Sequence, residues 1–245
     1  MQAMPARPCP APAPARRPGR LAWLLAGACA AAAPATVQAD APRAFETRKQ
    51  EMASCLPGEL RTWPDGRDRP AGVDAVRLVY RHAGAPPQFD EATVLGAVQR
   101  AARAWATCGI PAEVLSEAAA TLPGAPPVVV QWNEAETRGN FALANLGARR
   151  LSLSAAMFKL LAQRNPRHPA AQTLQMTLSH EMGHFFGLVA HSRRCIDVMS
   201  YYDNGHGESC STRDGGPART VVEYRALLPT ACDIARCKAV NGLGR

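Results

Sequence analysis

The amino-acid sequence predicts an α+β fold, a sheet packed on amphipathic helices, and three stretches carry that expectation. Residues 73–81 alternate, with Val76, Leu78 and Tyr80 on one face and Arg77, Val79 and Arg81 on the other, the period-two pattern of a strand. Val94, Val98, Ala101, Ala102 and Trp105 recur at the spacing of a helix and make one apolar stripe. Val128-Val129-Val130-Gln131-Trp132 is a short apolar run between Pro127 and polar residues, which reads as a buried strand.

The chain opens on a leader. Arg7, Arg16, Arg17 and Arg20 precede an apolar run at 21–33, and no acidic residue occurs before Asp40. The run has the length of a signal-peptide core and is too short to span a bilayer. Val37-Gln38-Ala39 puts small residues where a signal peptidase reads them, so residues 1–39 are expected to be a signal peptide cleaved before Asp40. Twin-arginine export through Arg16-Arg17 and lipoprotein cleavage at Cys29 are weaker readings: Pro18 fits the first badly, and the small residues are misplaced for the second.

Residues 40–70 are charged and broken by Pro57, Pro64, Asp65-Gly66 and Pro70, an irregular N-terminal arm tied down at Cys55, or a short propeptide. Asp90 is the N-cap of a helix to Thr107, which Gly109 and Pro111 stop. Two strands, 141–145 and 150–153, meet at Gly147. Pro166, His168 and Pro169 make a loop in which His168 is a solvated residue. A helix starts at Ala170 and carries Leu174, Leu178 and Phe185 toward the core. A turn-rich loop spans 202–207 with His206 on the surface, and 221–238 reads as a closing helical segment interrupted at Pro229. There are no internal repeats, and 71–245 is one domain.

Charge and cysteine count bound the partners and the compartment. Without the leader's four arginines, 24 basic residues stand against 20 acidic ones, a net of +4 too mild and scattered for a nucleic-acid partner. No stable membrane insertion is expected once the leader is gone, and a monomer is expected. Six cysteines remain: Cys55, Cys108, Cys195, Cys210, Cys232 and Cys237. An even count in an exported chain implies disulfides, which persist in oxidising compartments, secreted or periplasmic.

The chemistry sits in His180-Glu181-Met182-Gly183-His184-Phe185-Phe186-Gly187-Leu188-Val189-Ala190-His191. His180 and His184 fall one helical turn apart on the same face. Two imidazoles so spaced can hold one Zn²⁺ at about 2.0–2.1 Å each. Glu181 lies beside them as a base for the water that such an ion activates. Gly187 lets the helix end and the chain turn, bringing His191 round as third ligand. Three protein ligands leave a position open, the catalytic arrangement; a structural site would be closed by four.

This motif, followed by Cys195-Ile196-Asp197-Val198-Met199-Ser200-Tyr201, resembles the zinc-binding helix and Met-turn of the metzincin metallopeptidases. The order of elements from residue 73 onward is similar to the matrixin branch. The resemblance implies a twisted, mostly parallel sheet with one antiparallel edge strand, packed on helices above a small C-terminal subdomain. It implies one catalytic Zn²⁺ and a protein or peptide substrate. Met199 would lie beneath the metal, and Phe141, Ala142, Leu143 and Ala144 would form the edge strand that pairs with extended substrate. Cys195 and Cys210 bracket the Met-turn, so a bridge between them would stiffen it. Tyr201 matches the tyrosine that astacins and serralysins use near the metal, which makes it a candidate transition-state stabiliser. Ser192 stands where other branches place Glu or Asp, and 133–153 lacks the histidines and most acids of the matrixin structural zinc and calcium sites. Cys55 sits in Ala53-Ser54-Cys55-Leu56-Pro57, unlike the cysteine that caps zinc in matrixin zymogens.

The function expected is that of a zinc endopeptidase. Two alternatives stand beside it: a zinc amidase acting on cell-wall peptides, and a metal-dependent binding module without catalysis. Glu181 argues against the last, since a pure binder has no use for that carboxylate.

Overall fold

The computed structural model describes residues 40–121, 126–203, 205–214 and 223–244, with the backbone alone for 40–44. The leader expected in 1–39, Asn204 of the 202–207 loop and the start of the closing segment at 221–222 lie outside the described residues. The compact unit that carries everything below spans Ala39–Arg245.

Among the described residues five strands form one sheet: β1 Val76–Tyr80, β2 Ala112–Leu115, β3 Val128–Trp132, β4 Ala142–Asn145 and β5 Arg150–Leu153, in the spatial order β2-β1-β3-β5-β4. All neighbours are parallel except β4, which runs antiparallel to β5 and is an outer strand of the sheet. Register puts Leu78 opposite Val128, Val130 opposite Leu151, and Leu143 opposite Ser152. Val76, Leu78, Val79 and Tyr80 are all buried, so β1 is not the two-faced alternation that its sequence suggests. Parallel strands are covered on both faces and lose that alternation.

Helix α2, Glu91–Ala106, begins where its cap predicts: the Asp90 carboxylate accepts from Thr93 N, and Thr107 closes the other end. Its stripe of Val94, Val98, Ala101, Ala102 and Trp105 is buried. It packs on α6, Ala170–Phe185, and the Trp105 indole N–H donates to Ser179 O across that interface at 2.8 Å. A second aromatic group, Phe89, Phe141, Trp132 and Phe158, fills the space near β3, with Trp132 Nε1 donating to the Tyr80 hydroxyl.

Several expectations need correcting. The arm at 40–70 begins as a helix, α1 Asp40–Ala53, before it becomes irregular. Glu51 in α1 is fully buried and accepts from the Tyr224 hydroxyl, so tertiary packing stabilises a segment of low apolar content. Two one-turn helices, α3 Glu117–Ala120 and α4 Glu134–Thr137, flank β3. Helix α5, Ala155–Arg164, fills the interval before the Pro166 loop; Ser154 caps it through Met157 N. Residues 223–230 are not helical. The closing helix is only α7, Ala231–Val240, which starts after Pro229 at a capping box of Thr230 and Asp233.

Three disulfides join the six cysteines: Cys55–Cys232, Cys108–Cys237 and Cys195–Cys210. The last brackets the turn at Met199, as expected. The first ties the N-terminal arm to α7. Among the described residues no helix is long and apolar enough to cross a membrane.

Candidate metal centre

Helix α6 places His180 and His184 one turn apart, and Gly187 adopts φ 96° just past its end. A Cβ there would run into Arg69 O, so glycine meets both the backbone angle and a close approach. The chain then turns and returns His191 to the other two rings. One ligand atom from each of His180, His184 and His191 lies within 4.8 Å of the others, a group that could hold a metal ion.

Each ring is oriented by a bond at its Nδ1. His180 Nδ1 donates to Val198 O at 2.7 Å, His184 Nδ1 donates to Leu188 O at 2.7 Å, and His191 Nδ1 donates to Asp65 Oδ2 at 2.6 Å. The acceptors are carbonyls and a carboxylate, so the proton of each neutral ring resides on Nδ1 and the Nε2 lone pair faces the shared point. His180 Nε2 and His191 Nε2 stand 3.1 Å apart. Neither can donate to the other in that tautomer. A cation between two such facing lone pairs would relieve their contact, and this is the observation by which the donor set fits a metal. Outer partners that fix tautomer and ring angle in this way are typical of metal-ligating histidines.

Electrostatics agree. Burial, then the charges of the other two histidines, pushes His180 well below its ordinary value. Burial and the His191 charge bring His184 to about 4, and burial lowers His191 against the opposing pull of Asp65. The rings are therefore neutral at neutral pH, the form that binds metal. Glu181 is buried beside them. Its Oε2 accepts from Ala144 N at 2.8 Å and lies 4.0 Å from His184 Nε2. Burial lifts its carboxyl to about 7, opposed by that one backbone donor.

Met199 is fully buried under the histidine helix. A Cβ on Gly183 would strike Met199 Sδ and come within 2.6 Å of Trp105 Cζ2, so this glycine is what lets the turn close on α6. Val198 O reaches a ligand directly, accepting from His180 Nδ1, and Met199 O accepts from the N–H of Ser192, the residue after His191, at 2.7 Å. Asp197 braces the turn, accepting from Ser192 Oγ, Arg194 Nη1 and Thr230 Oγ1.

Tyr201 is 42% exposed, and its ring stacks on His191 with centroids 3.7 Å apart. Burial, then the Glu181 charge, pushes its hydroxyl up to about 12, so it stays protonated and can donate. Ala142, Leu143 and Ala144 belong to β4, while Phe141 precedes the strand and packs on Phe158. All four line a cleft of about 280 Å³ with His180, Glu181, His184, His191 and Tyr201. Arg225 lines it too, paired with Glu223 and lying over the Tyr202 ring.

Sequence reasoning missed Asp65, Gly183 and Arg225. Asp65-Gly66 carries a turn signal that hides the carboxylate's role, and Arg225 lies in a stretch that reads as helix. A second metal-like grouping, Cys55, Glu59 and Cys232, is accounted for by the disulfide between its two cysteines. His168 and His206 stay away from the centre: His168 Nε2 pairs with Thr173 Oγ1, and His206 is exposed.

No family model matches the chain, and neither does any curated protein. Among solved structures it is similar to a chain described as "GM1 bound form of the ECX AB5 holotoxin", at 14% identity over 77% of this chain and 92% of that one, with a TM-score of 0.44. A likeness of that order carries no argument about function.

Proposed function

We propose that this chain is a secreted or periplasmic zinc endopeptidase of the metzincin type, matrixin-like, acting on protein or peptide substrates. One observation carries the reading: three Nε2 lone pairs converge beside a buried carboxylate, on the open side of an outer strand. Three imidazoles with no thiolate suit Zn²⁺, with a fourth position left for solvent. The three disulfides favour an oxidising compartment.

A zinc ion held by His180, His184 and His191 would polarise the scissile carbonyl and lower the pKa of water toward neutrality. The protein's own groups do the rest. β4 lies at the outside of the sheet, and its outward main-chain groups other than Ala144 N, which Glu181 holds, can hydrogen-bond an extended peptide whatever the side chains. Glu181 takes the proton of the attacking water at a carboxylate oxygen and returns it to the leaving amine. Burial raises that carboxyl, which favours its holding the proton between the two transfers. The Tyr201 hydroxyl stays a donor, available to the oxygen on which charge develops.

The test is Glu181→Gln. The variant should bind one equivalent of zinc and keep its fold, while hydrolysis of casein or a mixed peptide library falls on the order of 10²–10⁴-fold. Wild-type cleavage by Glu181→Gln would remove the general-base assignment. A zinc-loaded wild type that cuts no peptide, but releases fragments from purified cell wall, would move the reading to an amidase.

A further inference from the structure

We propose that residues 61–69 are a strap that holds the third ligand in place, with Asp65 as the positioning residue for His191, and that this segment belongs to the working protein and is not a removable propeptide. The inference rests on the reading of His180, His184 and His191 as metal ligands.

The chain from Gly187 to His191 lies beyond the end of α6 and has no helix or strand of its own. Its buried backbone groups must still be satisfied. The strap supplies most of the partners. Arg69 N donates to Gly187 O at 3.1 Å, and Trp63 N donates to His191 O at 2.8 Å. The Asp68 carboxylate accepts from Val189 N and Ala190 N, and Asp65 Oδ1 accepts from His191 N. Thr62 and Ser192 form an antiparallel bridge, and Arg193 N donates to Arg61 O. Two segments far apart in sequence therefore lie side by side through the whole turn that delivers His191.

The close fit depends on a missing side chain. A Cβ on Gly66 would come within 2.8 Å of Val189 O. Trp63 is buried, with the Arg193 guanidinium over its ring at 4.4 Å. On either side of the strap the chain is tied to α7 and its C-cap: Cys55 is bridged to Cys232, and Ala71 N donates to Asn241 Oδ1 at 2.8 Å. In the middle, Arg236 of α7 donates two hydrogen bonds to Asp68 and a third to Ala190 O.

Asp65 differs from the other contacts because it grips both ends of one residue. Its Oδ1 takes the His191 backbone N–H while its Oδ2 takes the ring Nδ1–H at 2.6 Å. That pairing sets the ring's tautomer and its angle at once, and it points Nε2 at His180 Nε2. His180 and His184 have their orientation built in by carbonyls of nearby turns. His191 obtains its orientation from the N-terminal arm. A proteolytic step that removed the arm through Asp65 would take away both hydrogen bonds that orient His191 and leave its ring to its stacking on Tyr201.

Zinc affinity tests this, read by competition with a chromogenic chelator on the full exported chain. Asp65→Ala should bind zinc about 10–100-fold more weakly than wild type. Asp65→Asn, which keeps one acceptor for the ring N–H, should recover part of the loss. The thermal midpoint of the metal-free Asp65→Ala protein should stay within a few degrees of wild type, which separates ring positioning from a general loss of fold. In the metal-free wild type, ¹⁵N shifts of the His191 ring should show the proton on Nδ1, and Asp65→Ala should mix the tautomers. The N-terminus of the exported, zinc-loaded protein should precede Cys55.

Wild-type zinc affinity in Asp65→Ala would overturn the proposal. So would an exported form that begins after Asp65 and still carries a full equivalent of zinc, or unchanged ring tautomers in the variant. None of these readouts needs peptide cleavage. A chain that binds zinc but cuts nothing would end the peptidase reading and leave the strap to be judged on its own results.

Discussion

Gly183→Ala should destabilise the protein, although the same change in an ordinary helix stabilises. In a helix interior alanine gains about 0.8–1.0 kcal/mol over glycine. Here the new methyl would strike Met199 Sδ and sit 2.6 Å from Trp105 Cζ2, against an ordinary carbon contact of about 3.5–4.0 Å. The methionine can swing aside, but the indole cannot. Trp105 is fully buried, stacked on Phe186 and fixed by its N–H to Ser179 O. Overpacking against an immovable ring belongs at the upper end of the usual range, about 3 kcal/mol. Subtracting the propensity gain leaves a net loss of about 2 kcal/mol, or roughly 4–8 °C in midpoint for a chain of this size. Gly96→Ala is the internal control. Gly96 lies within α2, where a Cβ would meet only Arg100 Nη1 at 3.3 Å, the far end of a long side chain whose Nε donates to Gln175 Oε1 and which need give by only a few tenths of an ångström. That variant should gain about 0.5–1 kcal/mol. Thermal and urea unfolding of both variants in chelator, with disulfides intact, compares the two signs without any contribution from metal. If Gly183→Ala melts at or above wild type, the packing account of the Met199 turn is wrong.

The remaining expectations concern pH and covalent bridges. Burial pushes the Asp68 carboxyl up, but the Arg236 hydrogen bonds and charge and the N–H groups of Ala190 and Val189 outweigh it and hold it below 3.8. A carboxylate depressed on folding contributes stability that is present above its unfolded value and lost as pH falls through its folded one. The stability gap between wild type and Asp68→Asn should therefore be constant at neutral pH and shrink below about pH 4, as denaturant titrations across pH would report; a gap that persists into acid would contradict it. Replacing Cys108 and Cys237 by Ala should cost about 4 kcal/mol if loop entropy dominates, because the bridge closes a long path even with Cys55–Cys232 intact. Urea midpoints that barely move would place the bridge's effect elsewhere.

The elements legible in the sequence are those whose signals are local. Asp90 caps α2 through Thr93 N three residues on, and β3 and β5 keep their expected bounds because apolar runs end at Pro127, Gly147 and polar residues. The elements that escaped depend on partners elsewhere. β2 is four residues after Pro111 with Glu113 among them, and its strand character comes from pairing with β1. Helix α5 has a short, weakly patterned face, and Glu134 of a distant one-turn helix supports its start by accepting from Ser154 Oγ and Ala156 N. The 223–230 segment looks helical by composition, yet Glu223, Tyr224 and Arg225 spend their polar groups on Tyr202, Arg48 and Ser200.

The same division runs through the candidate site. His180, Glu181 and His184 are readable because a helix of known pitch sets their spacing. His191 is readable because a glycine at a fixed offset permits the turn. What orients two of those rings is not readable: Val198 lies 18 residues from His180, and Asp65 lies 126 residues from His191, whereas His184 takes its acceptor, Leu188 O, from within the motif. A local motif can specify which side chains meet, since that is a matter of backbone geometry over a few turns. It does not specify the tautomer each ring adopts, because an imidazole takes its proton position from whatever acceptor the rest of the fold delivers. The zinc-type pattern is thus a statement about spacing. Its chemistry depends on a carbonyl from the Met199 turn and a carboxylate from an arm that composition alone reads as irregular.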